Sequence, residues 1–572
     1  MRRSSIRTIT AISCLLFGAA AWRLGPHSYS DFAVQAQTAQ AAGTSPQTTT
    51  AQSTASGAKL QPVSVSLSPN PASIAPIPTG ATQIYPAKRG EAIPTIAHRF
   101  LGQTSYLTSS ELADAIRHVN GDRTGNILKA NENIVIPGIL PAPIVEKTVT
   151  VPKDFEVRAI YLTGVMAASD HGLRIIRHWR EVGGNAVVFD IKDSDGSVNI
   201  PFEHPLLGQH KVYIHDLPKF IRFLHSENMH AIARVAIFRD ERMVTEHPEL
   251  AVQSKKNKQP WRENGKLVWT DSSNPKVQDY NIALAKHVAQ LGADEIQFDY
   301  VRFPAEGDQK DASFVFQTGQ PETNPEEAKL CETDASDSSN PSPVGAADNS
   351  PGRKPRVAEK NGNKSRRDDR KACILPHTMQ RSDVIVAFLK KAYAEIHPTG
   401  ALLSLDVFGV MAWQRSVDLS HTGQDIVGMA KYCDVLSPMI YPSHFFGMDN
   451  IEHPGDAPEH FIGESMQRFE LITHPDGNKT SGVVIRPWLQ AFRWRTKTYS
   501  PEYIKVQVAT AKQKGGIGFL FWNAANDYSK PYEAMPEMKA ANVKEKDKYF
   551  RGDELPTTQI KASLTPAAPP AP

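Results

Sequence analysis

From Val157 to Trp522 the chain alternates short apolar runs with amphipathic stretches. Eight runs read as strands: VRAIYLTG from Val157, AVVFDIKD from Ala186, HAIARVAIF from His230, EIQFDYVRFP from Glu295, LLSLDVFG from Leu402, VLSPMIYP from Val435, VVIRPWLQAF from Val483 and GIGFLFWNA from Gly516. Between them lie stretches of helical period. In VQDYNIALAKHVAQLG, for example, Tyr280, Ile282, Leu284, Ala285, Val288 and Leu291 fall on one side. Strands alternating with helices build parallel β-α-β units. Eight of them within residues 153–530 predict an α/β fold, a closed (β/α)8 TIM barrel, with an open doubly wound sheet as the second choice. No Gly-x-Gly-x-x-Gly turn follows the first strand, so the dinucleotide form of the open sheet has no support.

The pattern changes at both ends and once inside. Arg2, Arg3 and Arg7 precede an apolar run from Ile9 to Ala21, which reads as a signal peptide or an uncleaved N-terminal anchor over 1–29. The run is short for a membrane span, which needs roughly 20 apolar residues. Residues 30–82 are rich in Ala, Ser, Thr, Pro and Gln, the composition of a disordered linker, and 544–572 form a similar tail. Residues 306–376, with SDSSNPSPVGAADNSPGRKP and the charge run KSRRDDRK, interrupt the barrel pattern and read as a disordered insertion on the mouth side, because they follow the fourth strand.

Between the linker and the barrel, residues 83–140 carry a β-α-α-β order. Tyr85, Gly90, Ile96, Ala97, Phe100, Asn120 and the closing Ile134-Val135-Ile136-Pro137 resemble the LysM module that binds peptidoglycan and chitin. Pro94, inside the first helix, and the long segment from Phe100 to Ser110 depart from that pattern. A small structural spacer is the plain alternative.

Composition narrows the function. The 64 basic and 61 acidic residues nearly balance, so no nucleic-acid partner is expected. Of the four cysteines, Cys14 lies in the leader. Cys331 and Cys373 flank the insertion and could close it, or could stand unpaired like Cys433. No Cys/His spacing suggests zinc, and there is no Gly-x-Ser-x-Gly elbow or phosphate loop. No cofactor and no metal are expected.

In a barrel of this kind the chemistry sits at the C-terminal strand ends. There the sequence places Asp190, Asp193 and Asp195 after the second strand, Asp299, Tyr300 and Arg302 after the fourth, and Asp406 on the fifth. Tyr441 and His444 follow the sixth, Arg486, Trp488 and Gln490 lie on the seventh, and Trp522 and Asn523 end the eighth. Side chains alternate along a strand, so Gln297 and Asp299 share the inward face, as do Ser404 and Asp406. Two carboxylates on neighbouring strand ends suit the roughly 5–9 Å spacing that glycosidases use. One protonates the leaving oxygen and the other attacks the anomeric carbon or activates water. Asp299 and Asp406 are therefore the catalytic candidates. Asp190, Asp193, Arg302, Tyr441, His444, Arg486, Trp488, Trp522 and Asn523 are candidates for binding a sugar. Trp413 and Trp494 add rim aromatics. The structural alternatives are a salt bridge from Asp299 to Arg302, a capping role for Asp406, and a plain turn at the run DSDG.

The runs VRAIYLTG, GLRIIRHWREVGGNAVVFDIKDSDG, DEIQFDYVRFP, LSLDVFG, VLSPMIYPSHF, IRPWLQAF and GFLFWNA resemble the bacterial "putative glycosyl hydrolase domain" family. That resemblance implies a barrel distantly similar to the α-amylase-like hydrolases, with Asp299 as the nucleophile and Asp406 as the acid. An Asp stands where the amylase-like acid is usually Glu. The expected function is an exported glycoside hydrolase, periplasmic, envelope-associated or secreted, acting on a polysaccharide or peptidoglycan-type glycan. A membrane would be met only through the N-terminal anchor. The competing readings are a barrel that binds glycan without cleaving it and an envelope scaffold.

Overall fold

The structure, a computed structural model, describes residues 80–123, 125–318, 379–477 and 482–536. The expected leader and almost all of the linker, most of the insertion with Cys331 and Cys373, and the tail lie outside the described residues. Cys433 is a buried free thiol.

The first unit has the β-α-α-β order read from the sequence. Strand β1 (Ala81–Pro86) pairs antiparallel with β2 (Asn133–Ile139), and α1 (Ile93–Phe100) and α2 (Ser109–Val119) lie between them in the chain. Pro94 stands in the first turn of α1, where its missing N–H has no partner to lose. Ile93, Ile96, Ala97 and Phe100 of α1 bury against Leu112, Ile116, Ile134 and Ile136. Asn120 ties the halves together. Its amide donates to the Ile116 and Val135 carbonyls and accepts from the Val135 N–H.

The second unit is the eight-stranded parallel barrel. Its strands are β3 (Arg158–Leu162), β4 (Ala186–Lys192), β5 (His230–Ala236), β6 (Glu295–Asp299), β7 (Leu402–Phe408), β8 (Val435–Ile440), β9 (Val484–Ile485 and Trp488–Gln490, divided by the Arg486-Pro487 step) and β10 (Phe519–Trp522). Each pairs with the next, and β10 pairs with β3, so the ring closes. Helices α3 (Asp170–Glu181), α4 (Leu217–Ser226), α5 (Pro275–Gln290), α6 (Arg381–Ile396), α7 (Pro458–Thr473) and α8 (Pro501–Gln513) surround it. Side chains cap several helices at the mouth end. Ser169, Asp216, Asn274 and Ser500 each accept an N–H of the first turn.

Outward strand residues such as Ile296 and Phe298 join the helices in one large core. Inward residues form a second, smaller cluster that includes Ala159, Tyr161, Val188, Ile232, Trp488 and Leu520. Below that cluster, Arg486 on β9 donates to Glu295 at 2.8 and 3.0 Å, and His230 contacts the same carboxylate at 3.2 Å. The carboxyl is held down at about 2. Burial alone would raise it, but the Arg486 charge and the His230 bond more than offset that.

Gly518 closes the ring with φ +78, and a Cβ there would lie 2.3 Å from the Val157 carbonyl oxygen. Gly518→Ala is expected to cost about 1–3 kcal/mol or more, seen as a lower melting temperature.

The chain reaches the barrel along an extended segment. Val149 and Val151 pack on Leu402, and the Val149 N–H donates to Asp294. Glu146 accepts from Arg222 and contacts His225, which also faces Asp294 at 3.0 Å. Burial alone would lower the His225 pKa, but Asp294 and Glu146 raise it to about 9. A raised folded pKa gives stability that is complete below the unfolded value near 6.5 and is lost as pH rises through about 9. The melting temperature should therefore fall between pH 7 and 9, and less so in His225→Gln.

The small unit also docks on the side of the barrel. Lys219 of α4 donates to the Leu101 and Tyr106 carbonyls, Arg177 of α3 pairs with Glu111, and Thr108 bonds to Asp170.

Candidate active site

The ends of β3 to β7 converge on a layer of charge. Register places Arg234 of β5 beside Asp190 of β4, and Ala236 of β5 beside Asp299 of β6. Alternation turns Asp190, Arg234, Asp299 and Asp406 toward the barrel axis. Arg234 bridges two of the carboxylates. One Nη donates to Asp190 Oδ1 at 2.5 Å and the other to Asp299 Oδ2 at 2.5 Å, while Nε adds a contact to Asp299 at 3.2 Å. The guanidinium lies over Tyr161 and Trp522, whose rings stack 4.1 Å apart. The Tyr161 hydroxyl donates to Asp190 at 2.5 Å.

Asp299 is fixed by its own backbone as well. The Tyr300 N–H donates to Asp299 Oδ1 at 2.6 Å, and Tyr300 has φ +53. A bulky residue in the left-handed region is strained, and such strain collects where geometry serves a site. The partner of Asp299 is thus Arg234, not Arg302 as the structural alternative supposed.

Asp406 sits in a different environment. Gln297 donates to its Oδ1 at 2.7 Å and Trp488 Nε1 donates to the same atom at 2.6 Å. Burial and the nearby Asp299 charge push its pKa well above the ordinary carboxylate range, and neither Arg234 nor the two bonds reverse that. The pair therefore holds one carboxyl group bonded to a guanidinium and one whose surroundings favour its neutral form, the division that acid-assisted displacement at an acetal needs. Trp488→Phe removes a donor that favours the charged form of Asp406. The alkaline limb of kcat/KM should move to higher pH while the rate at lower pH changes little.

The other sequence candidates divide. Trp488 and Trp522 line the layer, with rings 5.8 Å apart and nearly perpendicular. Tyr441 is close enough that the charges of Asp406 and Asp299 raise its hydroxyl pKa further above an already high value set by burial. His444 lies tilted against Tyr441, ring centres 5.4 Å apart, and burial, aided by the Arg495 charge, pushes it down to about 3. It is a neutral ring at ordinary pH. Asp193 stands near enough to raise Asp190, but its own carboxylate accepts the Ser194 N–H in a turn. Asp195 likewise closes a turn onto Ser197.

Four binding assignments need correction. Asp190 is fully buried between Tyr161 and Arg234, so it positions Arg234 and presents no surface to a sugar. Burial raises its pKa to about 7. Arg486 lies in the lower charge layer with Glu295, away from the mouth. Arg302 is sandwiched between Trp269 and Phe408, 4.5 and 4.4 Å from the ring centres, and donates to the Phe303 carbonyl. Asn523 spends its amide on the Ala491 and Asp527 carbonyls and the Ala525 N–H, a corner of the last loop. Among the rim aromatics, Trp413 packs on Phe445 under Arg468, whereas Trp494 lies 4.8 Å from His444.

Two residues of the layer were missed in the sequence, and both left a signal there. On HAIARVA, Arg234 shares the inward face with Ile232, where a cation has no solvent. On RAIYL, Tyr161 shares it with Ala159. Among the described residues no group of His, Cys, Asp and Glu is arranged to hold a metal ion.

A closed parallel barrel with paired carboxyl groups at its C-terminal strand ends, flanked by tyrosine and tryptophan, has the constitution of a glycoside-hydrolase barrel. Residues 159–528 match the family described as "Putative glycosyl hydrolase domain", and the chain belongs to that family. No curated protein matches the chain. Among solved structures, a hypothetical protein from Ruminiclostridium thermocellum ATCC 27405 is 34% identical, over 31% of this chain and 90% of its own, with a TM-score of 0.26. The glycoside hydrolase domain of PgaB (BpsB) from Bordetella bronchiseptica is 12% identical over 67% and 98%, with a TM-score of 0.45. The spore cortex-lytic enzyme SleL from Bacillus megaterium QM B1551 is 11% identical over 79% and 85%, with a TM-score of 0.33.

Proposed function

We propose that this protein hydrolyses glycosidic bonds of a cell-wall or envelope polysaccharide. Asp299 acts as the nucleophile or the base and Asp406 as the proton donor. The observation that carries the reading is the contrast between the two carboxyl groups. Arg234 and the Tyr300 N–H hold Asp299 in one orientation, while burial beside Asp299 raises the Asp406 pKa and favours its proton-bearing form. Trp522, the partly exposed ring of the layer, supplies a flat face for a sugar ring, with the buried Tyr161 and Trp488 packed against it.

The leader-like N-terminus supports export, and the β-α-α-β unit supports a LysM-like role that holds the barrel on its glycan. The test is incubation of purified protein with wall glycans and exopolysaccharides, followed by assay for new reducing ends. Release by the parent protein but not by Asp299→Asn supports the assignment. The absence of release from every glycan, with binding intact, would make the barrel a glycan-binding protein.

A further inference from the structure

Beside the proposed active site, the loops after β8 and β9 form a platform that the hydrolytic pair does not use. Arg495 lies with its guanidinium 4.0 Å over the Phe446 ring and 4.8 Å over Trp494, and those two rings meet edge to face at 5.9 Å. The platform joins the site through ring contacts, from Trp494 to His444 at 4.8 Å and from His444 to Tyr441 at 5.4 Å.

The backbone is built to present it. Arg495 has φ +46, a left-handed conformation that a long side chain adopts only when held there. The restraints are visible. The Asp456 carboxylate accepts the Lys497 and Thr498 N–H groups and the Thr496 hydroxyl. Gly455 lets the Arg495 carbonyl approach so closely that a Cβ would sit 2.1 Å from it. Gln490, at the end of β9, donates to the Phe492 and Trp494 carbonyls. Arg493, Arg495 and Lys497 are all exposed, with the Asp456 carboxylate bonded to the backbone of the same loop.

A planar guanidinium flanked by aromatic faces matches an anionic group on a ring, because the fork bonds the oxygens in its plane while the rings cover the sugar. We infer that the Phe446–Trp494–Arg495 platform is a subsite for a sugar bearing a carboxylate, sulfate or phosphate, so that the glycan taken by this barrel is anionic. The inference rests on the hydrolase reading for its position next to the carboxyl pair, but it is read by binding alone.

The test uses the full chain carrying Asp299→Asn, so that no ligand is consumed. Calorimetry would compare a short oligogalacturonate, a heparin oligosaccharide and poly(glycerol phosphate) with methyl-esterified oligogalacturonate, the uncharged control. At least one anionic ligand should bind more tightly than the control, and added salt should weaken that binding alone. Which ligand responds identifies the anion. Adding Arg495→Gln should weaken that ligand at least about tenfold and leave the control unchanged. Equal affinity for charged and uncharged ligands, salt-independent binding, or unchanged binding in Arg495→Gln would overturn the inference. Anionic binding by a parent protein that cleaves nothing would leave this subsite standing and remove the hydrolase. Cleavage of neutral glycan with no anionic preference would do the reverse.

Discussion

Asp299→Asn is expected to lower turnover by roughly four orders of magnitude while leaving the barrel folded. The amide keeps the shape of the side chain, and its oxygen can still accept from the Tyr300 N–H or from Arg234. Arg234 retains its bond to Asp190, so the buried guanidinium keeps a carboxyl partner. The lost element is the negative charge that attacks the anomeric carbon or takes a proton from water. A reducing-end assay gives the rate, and circular dichroism with a thermal scan gives the fold. Retention of most activity, or loss of folding, would assign Asp299 a structural role.

Asp406→Asn should have opposite effects on rate and stability. The asparagine oxygen can accept from both Gln297 and Trp488, so the local bonds survive. The titrating proton does not, and glycans with poor leaving groups should lose most of their turnover, whereas an activated aryl glycoside loses less. In the parent, kcat/KM should fall as pH rises through the Asp406 pKa, because the donor is then empty. That alkaline limb should be absent in Asp406→Asn. The linkage runs in the same direction. A carboxyl whose folded pKa is raised favours the fold at low pH and opposes it as pH rises. Removing it should leave the melting temperature at neutral pH unchanged or higher by about 2–4 °C. A variant that is slower and more stable would mark a group kept for chemistry.

The barrel was legible in the sequence because its signals are local and repeated. Apolar strand runs such as AVVFDIKD and EIQFDYVRFP mark strands, and the 3.6 period of helices such as Pro275–Gln290 separates them. Alternation also turned Asp299 and Asp406 inward correctly. What alternation does not give is height along the barrel axis. Arg486 and Trp488 share a face of β9, yet Arg486 lies one layer lower, where it meets Glu295, the first residue of β6. Nor does it give cross-strand pairing. Asp299 bonds Arg234 because β5 and β6 are neighbours in the ring, while Arg302, nearer in sequence, turns to Trp269 and Phe408. Asn523 looked like a ligand for hydroxyls because a polar residue ends a strand, but the Ala491 carbonyl, just past β9, and the Asp527 carbonyl of its own loop took its donors.

The extended segment ahead of β3 has an evolutionary consequence. The family match begins at residue 159, but Glu146, Val149 and Val151 already complete the underside of the ring against His225, Asp294 and Leu402. A gene fusion joined at the family boundary would inherit the strands without their floor, leaving His225 and Asp294 uncovered. For such a fusion the stable unit would start upstream of the family match, at Glu146 or before.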